Sequence, residues 1–519
     1  MLAESLLVAD LEGTMAASSS RTVGDLMSSP PVTATSSETV ASAARRMVEH
    51  RVGSVVVVDG ERPIGILTER DLIRFAATGA EAAGTKVSEW MTGDPDTVSP
   101  STSAREAFAS LEAHGYRHVP VVEDGRLVGV VSLRDLVRIA RPGTIEAPPG
   151  LEGVIVADTS VGDVRGEEGF YHYRQYDAVA LADTRSLEDV WHLLFEGELP
   201  TAAQRASFLA EIRRGRELPS PVTEVLPAIA AASTNVMEAV RTAVSLLGSV
   251  EGFRPTLDID HAERRANALQ TCAAIPTLIM AVHRLRAGLE PIAPHPDLGY
   301  GANYLWMLTG DVPDPEVARA VEQYQITTID HGFNASTFTA RVITSSGADV
   351  AAAVVGGIGA LSGPLHGGAP SRALALLDDI GTPANARPYL VDAVQRGEKI
   401  MGFGHRVYRT DDPRAVFLRG VAERVGATKI EFAKQVEQTV VEVLGELKPG
   451  RNLYANVEFY AGVVMDHCGL PQDLFTPTFA SSRVIGWCAN LLEQAADNRI
   501  IRPSARYVGP HAPQPVPPV

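Results

Sequence analysis

The first 140 residues carry one pattern twice, offset by 64 positions. The stretch VGDLMSSPP (23–31) aligns with VSEWMTGDP (87–95), and PIGILTERDL (63–72) aligns with LVGVVSLRDL (127–136). Met27 and Met91, Pro31 and Pro95, Gly65 and Gly129, and Asp71 and Asp135 all keep that offset without a gap. A register held at four separated points means a duplicated fold unit, so both copies must be read the same way.

In the first copy Val40, Ala44, Met47 and Val48 have helical spacing. Residues 55–58 form an apolar, β-branched run that reads as a buried strand, Asp59-Gly60 is a hairpin signal, residues 64–67 read as a second strand and residues 69–75 as a helix. The second copy repeats this with Ala104, Ala107, Phe108 and Leu111, then 119–122, Asp124-Gly125 and 127–131. Each copy places a hydroxyl three residues after a glycine and three before an aspartate. Thr68 and Ser132 taken alone are helix N-caps. The same trio also offers a glycine that admits close backbone approach, a hydroxyl where helix N–H groups favour an anion, and a carboxylate, Asp71 or Asp135, that can accept hydrogen bonds.

Both copies resemble cystathionine-β-synthase (CBS) domains. The motif of that family, Gly-h-h-Thr/Ser-x-x-Asp, stands here as Gly65-Ile66-Leu67-Thr68-Glu69-Arg70-Asp71 and Gly129-Val130-Val131-Ser132-Leu133-Arg134-Asp135. The resemblance implies an α/β module with a pseudo-two-fold axis. It also implies an adenine nucleotide (AMP, ADP or ATP) held at Thr68, Asp71, Ser132 and Asp135. A CBS pair can equally be an assembly module with empty clefts.

Residues 141–153 (RPGTIEAPPGLEG) have no apolar period and are rich in proline and glycine, which marks a linker. Beyond it the strand signals thin to a short pair expected near 155–173. Residues 186–496 show helical periods with caps, such as Asp314-Pro315 followed by Val317, Val321, Tyr324 and Thr328 on one face. A chain of 519 residues is expected to hold roughly three units. With 45% hydrophobic and 21% charged residues it has ample material for a core.

A net charge of −17 favours neither nucleic acid nor an anionic membrane. The three cysteines, 272, 468 and 488, lack C-x-x-C spacing, so neither a disulfide framework nor a zinc site is expected. There is no basic n-region and no uninterrupted apolar run of spanning length. A cytoplasmic protein without a metal is the expectation.

From Gly150 to about Pro510 the chain resembles citrate synthase. The opening GLEGVIVADTSVGDVRGEEGFYHYRQYD and the segment HLLFEGELPT (192–201) match the start of that family. The resemblance implies a mostly all-α fold with a large and a small helical domain and the active site between them. The expected boundaries are 1–20 tail, 21–80 and 85–140 CBS domains, 141–153 linker, 154–365 with 479–510 large domain, 366–478 small domain and 511–519 tail.

Four constellations carry the expected chemistry. In DHGFNASTF (330–338), His331 can hydrogen-bond an oxyanion or carboxylate; by resemblance it holds oxaloacetate together with backbone near Asn334. Gly332-Phe333 departs from a common family pattern there. In SGPLHGGAPSRAL (362–374), His366 precedes a helix expected to open near Pro370, and a helix N-terminus keeps an imidazole neutral, fit to donate to an enolate oxygen. Pro370-Ser371 replaces the family's usual Asn-Glu.

In MGFGHRVYRTDDPRA (401–415), arginines at 406, 409 and 414 follow His405, and arginine is a rigid fork for carboxylate and phosphate. By resemblance His405 binds the ketone of oxaloacetate, Arg414 a carboxylate and Arg409 a coenzyme A phosphate. In NVEFYAGVVMDHCGL (456–470), Glu458 abuts an apolar run that should raise its basicity. The family more often has Asp there. Arg483 and Arg502 are carboxylate ligands by resemblance, Arg502 delivered from a partner subunit.

The expected reaction is condensation of acetyl-CoA with oxaloacetate and water to citrate and CoA. Glu458 is the base, His366 and His405 are the donors, and no cofactor beyond the thioester substrate is needed. A homodimer or higher homo-oligomer is expected. Rival readings are a 2-methylcitrate synthase using propionyl-CoA and a non-catalytic CoA- or nucleotide-sensing protein.

Overall fold

Val23 and Val87, equivalent residues of the two copies, each lie in the core of the other copy. Val87 packs with Ala34, Ala43, Met47, Val55, Val57 and Leu67. Val23 packs with Ala104, Ala107, Phe108, Leu111, Val119, Val121 and Val131. The computed structural model describes residues 22–50, 52–133, 135–136, 147–367, 369–405, 407–408, 410–448, 453–505, 508–509 and 516.

The strands repeat this exchange. β1 (Thr33–Thr35) runs parallel to β2 (Ser54–Asp59), which forms a hairpin with β3 (Arg62–Thr68). The outer neighbour of β3 is β4 (Thr92–Gly93), from the opening of the second copy. In the second copy β5 (His118–Glu123) and β6 (Arg126–Ser132) form the hairpin. Val98 bridges Val121 in parallel, and Ser28, from the opening of the first copy, bridges Val130. The pairs Ala34–Val57 and Ile66–Thr92 thus recur at the repeat offset as Val98–Val121 and Val130–Ser28.

The helices Val40–His50, Glu69–Ala77 and Ala104–His114 pack on these strands. In the first of them Ala43, not Val48, joins Val40 and Met47 inside; Val48 is 78% exposed. The spacing of Val48 fits a helix, but the buried stripe is narrower than the apolar one.

The chain divides between Val154 and Ile155 into two units. The second opens with three antiparallel strands where two were expected: β7 (Gly162–Arg165), β8 (Phe170–Tyr173) and β9 (Tyr176–Asp177). Thereafter it is helical, from Ala178–Thr184 to Phe475–Ala496. The helix His261–Arg286 is buried through Ala268–Val282. It is long and apolar enough to cross a membrane, but 78% of its apolar window is buried inside the unit, as for an interior helix that is apolar all round.

Capping sets the helix starts that matter for the site. The Asp314 side chain accepts from the N–H groups of Glu316 and Val317, starting Pro315–Thr328. Asn334 starts Ala335–Ser345 and Asp412 starts Pro413–Arg424 in the same way. Gly486 permits the closest approach: a Cβ there would meet the Ile329 carbonyl oxygen at 2.1 Å. The Phe475–Ala496 helix can therefore lie against the end of Pro315–Thr328, which brings Arg483 to the Thr328 carbonyl.

Candidate active site

The turn after Pro315–Thr328 carries His331. Burial pushes the pKa of the Asp330 carboxyl up to about 6, with Arg483 and the nearby backbone N–H groups of Gly332 and His331 pulling it down, and Gly332 takes φ +58 to complete the turn. The ring of His331 sits 5.4 Å from that of His405 and 5.6 Å from that of Tyr171. Its Nε2 is 2.9 Å from the Tyr408 hydroxyl. Burial, with Arg414, His405 and Arg483 nearby, holds its pKa well below the ordinary histidine value, so this imidazole is neutral.

His405 follows a loop stitched to the segment preceding Glu458. The Gly404 N–H donates to Tyr454, Asn456 donates through its backbone to Gly402 and through Nδ2 to Gly404, and Phe403 bridges Ala455. Nδ1 of His405 accepts from the N–H groups of Val407 at 3.0 Å and Tyr408 at 3.1 Å. Its one proton is therefore on Nε2, which lies 3.4 Å from Arg414 Nη2. Both atoms are donors, so they do not satisfy each other, and an acceptor oxygen placed against both would. Burial and Arg414 hold the pKa of His405 down to about 4.

Arg414 is itself buried. Its Nε and Nη2 donate to the two oxygens of Asp412 at 3.0 and 2.8 Å. The same Asp412 accepts from the N–H of Val457 at 3.1 Å, which ties Arg414 to the start of the helix Val457–His467. Glu458 is in the first turn of that helix. Burial pushes its pKa up to about 7, against the pull of Arg414 and with a smaller push from Asp412.

His366 lies 2.8 Å by Nε2 from the Ser336 hydroxyl, which also takes the Trp487 indole N–H at 3.1 Å. Its pKa is lowered to about 4. The cause differs from the one expected: burial comes first and Arg483 second, rather than the helix N-terminus. The helix there, Ala369–Ile380, begins where the sequence places it.

Not every expected residue is seen in this cluster. The Asn334 side chain caps its helix and also reaches the cluster, its Oδ1 accepting from the N–H groups of Ser336 and Thr337 and from the Ser336 hydroxyl at 2.8 Å. Arg502 is exposed, in an extended segment held where the Ile501 N–H donates to Ser345 Oγ at 3.0 Å. Arg409 lies outside the described residues. Sequence reasoning missed Asp330, Tyr408, Asp412, Ser336 and Trp487. Asp412-Pro413 repeats the Asp-Pro cap signal of Asp314-Pro315, so its cap was readable, but its grip on Arg414 was not. Also missed was a cavity of about 260 Å³ beside Glu458, lined by Lys399, Met401, Phe403, Leu444, Lys448 and Leu453 among others.

In the N-terminal unit the hydroxyl and N–H of Thr68 donate to one oxygen of Asp71 at 2.7 and 3.0 Å. Ser132 and Asp135 repeat this at 2.6 and 3.2 Å. The N-cap reading of these pairs holds. At the motif glycines a Cβ would meet the sulfur of Met91 at 2.4 Å from Gly65 and of Met27 at 2.6 Å from Gly129. The close approach these glycines allow is to a methionine of the other copy.

The family model of the citrate synthase C-terminal domain matches residues 150–504, and that of the CBS domain matches 23–78 and 87–141. The chain belongs to the citrate synthase family. It is an enzyme of the transferase type, and it carries a tandem CBS module. Among curated citrate synthases, one from Deinococcus radiodurans is 37% identical over 365 residues, 69% of this chain and 95% of that protein. A 2-methylcitrate synthase of Mycobacterium tuberculosis is 41% identical over 361 residues, covering 69% and 90%.

Solved citrate synthases agree. The enzyme of Pyrobaculum aerophilum has a TM-score of 0.64 at 36% identity, covering 72% of this chain and 96% of that one. The Thermoplasma acidophilum citrate synthase, solved as a ternary complex with carboxymethyl coenzyme A and oxaloacetate, has a TM-score of 0.67 at 29% identity, covering 72% and 99%.

Proposed function

We propose that the helical unit condenses acetyl-CoA with oxaloacetate and water to give citrate and CoA. The observation that carries this reading is a pair of facing donors 3.4 Å apart in a buried site: His405 Nε2 and the second N–H of Arg414 Nη2, whose first is given to Asp412. Two donors aimed at one oxygen suit a ketone that gains negative charge during attack. Glu458, near neutral in basicity, takes a proton from the methyl group of the thioester. The resulting carbon forms a bond to the ketone carbon of oxaloacetate, and the ketone oxygen is protonated to the alcohol of citryl-CoA. Water then adds to the thioester carbonyl, the C–S bond breaks, and CoA leaves as its thiol.

His366 donates to the enolate oxygen from Nδ1. This requires the Ser336 hydroxyl, which also reaches Asn334 Oδ1 at 2.8 Å, to turn its one proton to His366 Nε2 while accepting from the Trp487 N–H. His331 and Arg483 take oxaloacetate carboxylates beside Arg414. The cavity next to Glu458 takes the acyl end of the thioester, with Lys399 and Lys448 toward the phosphates, a task Arg409 shares. The imidazoles and arginines supply the electrostatic stabilisation, so this scheme draws on no metal. Residues 366–478 form the small domain that closes over the substrates. Arg502 completes the site of the partner subunit in a homodimer, in the cytoplasm.

Propionyl-CoA is the second reading, favoured by the 41% identity to a 2-methylcitrate synthase. A hydrophobic pocket discriminates one methylene by only about 1–3 kcal/mol. CoA release from acetyl-CoA and propionyl-CoA, each with oxaloacetate, tests both. A higher kcat/KM for propionyl-CoA moves the function to methylcitrate synthesis, and no release with either rejects the reaction.

The CBS module regulates this reaction by binding AMP, ADP or ATP. The box at each site uses Oδ2 of Asp71 or Asp135, and Oδ1, which in Asp71 faces Arg74 Nη1 at 3.6 Å, is the oxygen to accept from ribose. Titration of the full chain with the three nucleotides tests this, and the absence of binding below millimolar leaves the module an assembly element.

A further inference from the structure

The segment that follows the linker is hydrogen-bonded, link by link, to the turn bearing His331. Ser160, six residues past Val154, donates to Glu493 Oε1 through its N–H at 2.6 Å and its hydroxyl at 2.8 Å. Arg174 Nη1 donates to the same hydroxyl at 2.6 Å, which pins Ser160 from the sheet side. The other oxygen of Glu493 pairs with Arg341 Nη1 at 2.7 Å.

Arg341 is buried and engaged through all three of its nitrogens. It donates to Gln494 Oε1 at 3.1 Å, to Asn490 Oδ1 at 3.2 Å and to the Asp158 carbonyl at 3.4 Å. Asn490 Nδ2 donates to Asp330 Oδ1 at 3.2 Å. Asp330 is the residue directly before His331, and the backbone N–H groups of His331 and Gly332 are near enough to its carboxylate to lower its pKa. A second link runs alongside, because the Arg341 guanidinium lies over the Phe333 ring, 5.3 Å from its centre.

The electrostatics agree with a firm latch. Burial alone would raise the pKa of Glu493, but the Ser160 N–H, the Thr159 and Ser160 hydroxyls and Arg341 outweigh it and hold it below the ordinary carboxylate range. The carboxylate stays charged, and so does its grip on both sides.

We infer that Glu493 is a positioning residue that ties the segment after the linker to the turn carrying His331. It touches no reacting atom; it fixes where the imidazole points. Because the chain reaches Ser160 directly from the linker, the same latch is the route by which the N-terminal module sets the affinity for oxaloacetate. That second half rests on the regulatory reading above.

The test uses the full-length protein with Glu493→Gln and Ser160→Ala. Ser160→Ala keeps the buried Arg341–Glu493 pair and so guards against a variant that does not fold. Hydrogen exchange of amides 331–334 should quicken, by about tenfold for Glu493→Gln, as expected when a local opening becomes easier. The KM for oxaloacetate should rise by about tenfold while kcat changes by less than about twofold, the pattern of a misplaced binding group rather than a lost catalytic one. In Ser160→Ala the nucleotides should still bind, by calorimetry, but shift that KM less than in the wild type. Exchange at 331–334 indistinguishable from wild type in both variants overturns the positioning role. If the wild-type KM ignores all three nucleotides, only the regulatory half falls; if the wild type makes no product from oxaloacetate, the proposed reaction falls while the exchange data still decide the latch.

Discussion

Asp412 and Arg414 meet fork to fork inside the protein, at 3.0 and 2.8 Å, with side chains 1% and 3% exposed. Asp412 raises the pKa of this guanidinium further, against the effect of burial, so Arg414 is permanently charged. The carboxylate also holds Val457 and caps its own helix, so one side chain sets the place of an arginine, of a helix and, through that helix, of Glu458.

Asp412→Ala should therefore act on stability and on catalysis together. It leaves a buried guanidinium without its counter-charge, a change that costs about 3–5 kcal/mol. Urea unfolding should show a midpoint shift of that size with an unchanged slope. Asp412→Asn keeps the cap but not the charge and should fall between. If Asp412→Ala unfolds like wild type, Arg414 is held by something else.

Glu458 should control the acid side of the rate profile. Its pKa is raised to about 7, and it must be ionised to accept a proton. kcat/KM should therefore fall about tenfold per pH unit below about 7 and level off above it. The imidazoles of His366 and His405, held to about 4, stay neutral through this range and add no second step. Glu458→Gln should lower kcat by about 10²–10⁴ with oxaloacetate binding nearly intact, whereas Glu458→Asp should keep measurable activity. A variant Gln enzyme above a third of wild-type kcat, or a flat profile between pH 5 and 8, contradicts the assignment.

How far the sequence could be read depends on what each signal encodes. The duplicated unit was legible because the offset of Gly65 from Gly129 and of Asp71 from Asp135 is a property of the string itself. That Val23 and Val87 change places was not, since exchange between copies leaves the spacing untouched. The helical programme and the start of Ala369–Ile380 followed from composition and caps. At the site, His331, His366, His405, Arg414, Arg483 and Glu458 stood in motifs and are brought together. Their supports were hidden because each comes from far along the chain: Trp487 reaches Ser336, and Asp412 reaches Val457, across separations no local pattern records. Val48 shows the opposite failure, a residue with the right period on the wrong side of its helix.

Tyr324 offers a test of burial without a partner. It is 1% exposed, and its hydroxyl has no hydrogen-bond partner among the described residues. Deleting a buried hydroxyl that is hydrogen-bonded usually costs about 0.5–1.5 kcal/mol, but removing an unsatisfied one recovers its desolvation penalty. Tyr324→Phe keeps the ring and should be neutral or stabilising by up to about 1–2 kcal/mol in thermal or urea unfolding. A clear loss of stability would mean that the hydroxyl has a partner, such as a tightly held water.

The interlocked repeats predict which truncations survive. A chain beginning at Pro148 keeps the whole unit from Ile155 onward, with its own continuous core, and should fold and retain synthase activity. It should lose any response to AMP, ADP or ATP. The two copies cannot be separated in the same way. A fragment of residues 21–80 lacks Val87 from its core and β4 from the edge of its sheet, and it leaves Val23 with no core to enter. With β3 unpaired on that side and a buried valine missing, such a fragment should be largely unfolded by circular dichroism, while residues 21–140 should fold cooperatively. Within the pair, Gly65→Ala forces Met91 aside and should cost about 1–3 kcal/mol, the range for an overpacked core, and Gly129→Ala should match it through Met27. A stable 21–80 fragment, or a truncated enzyme that still responds to nucleotide, would show that the exchange of segments is not what holds the module together or that the module is not the sensor.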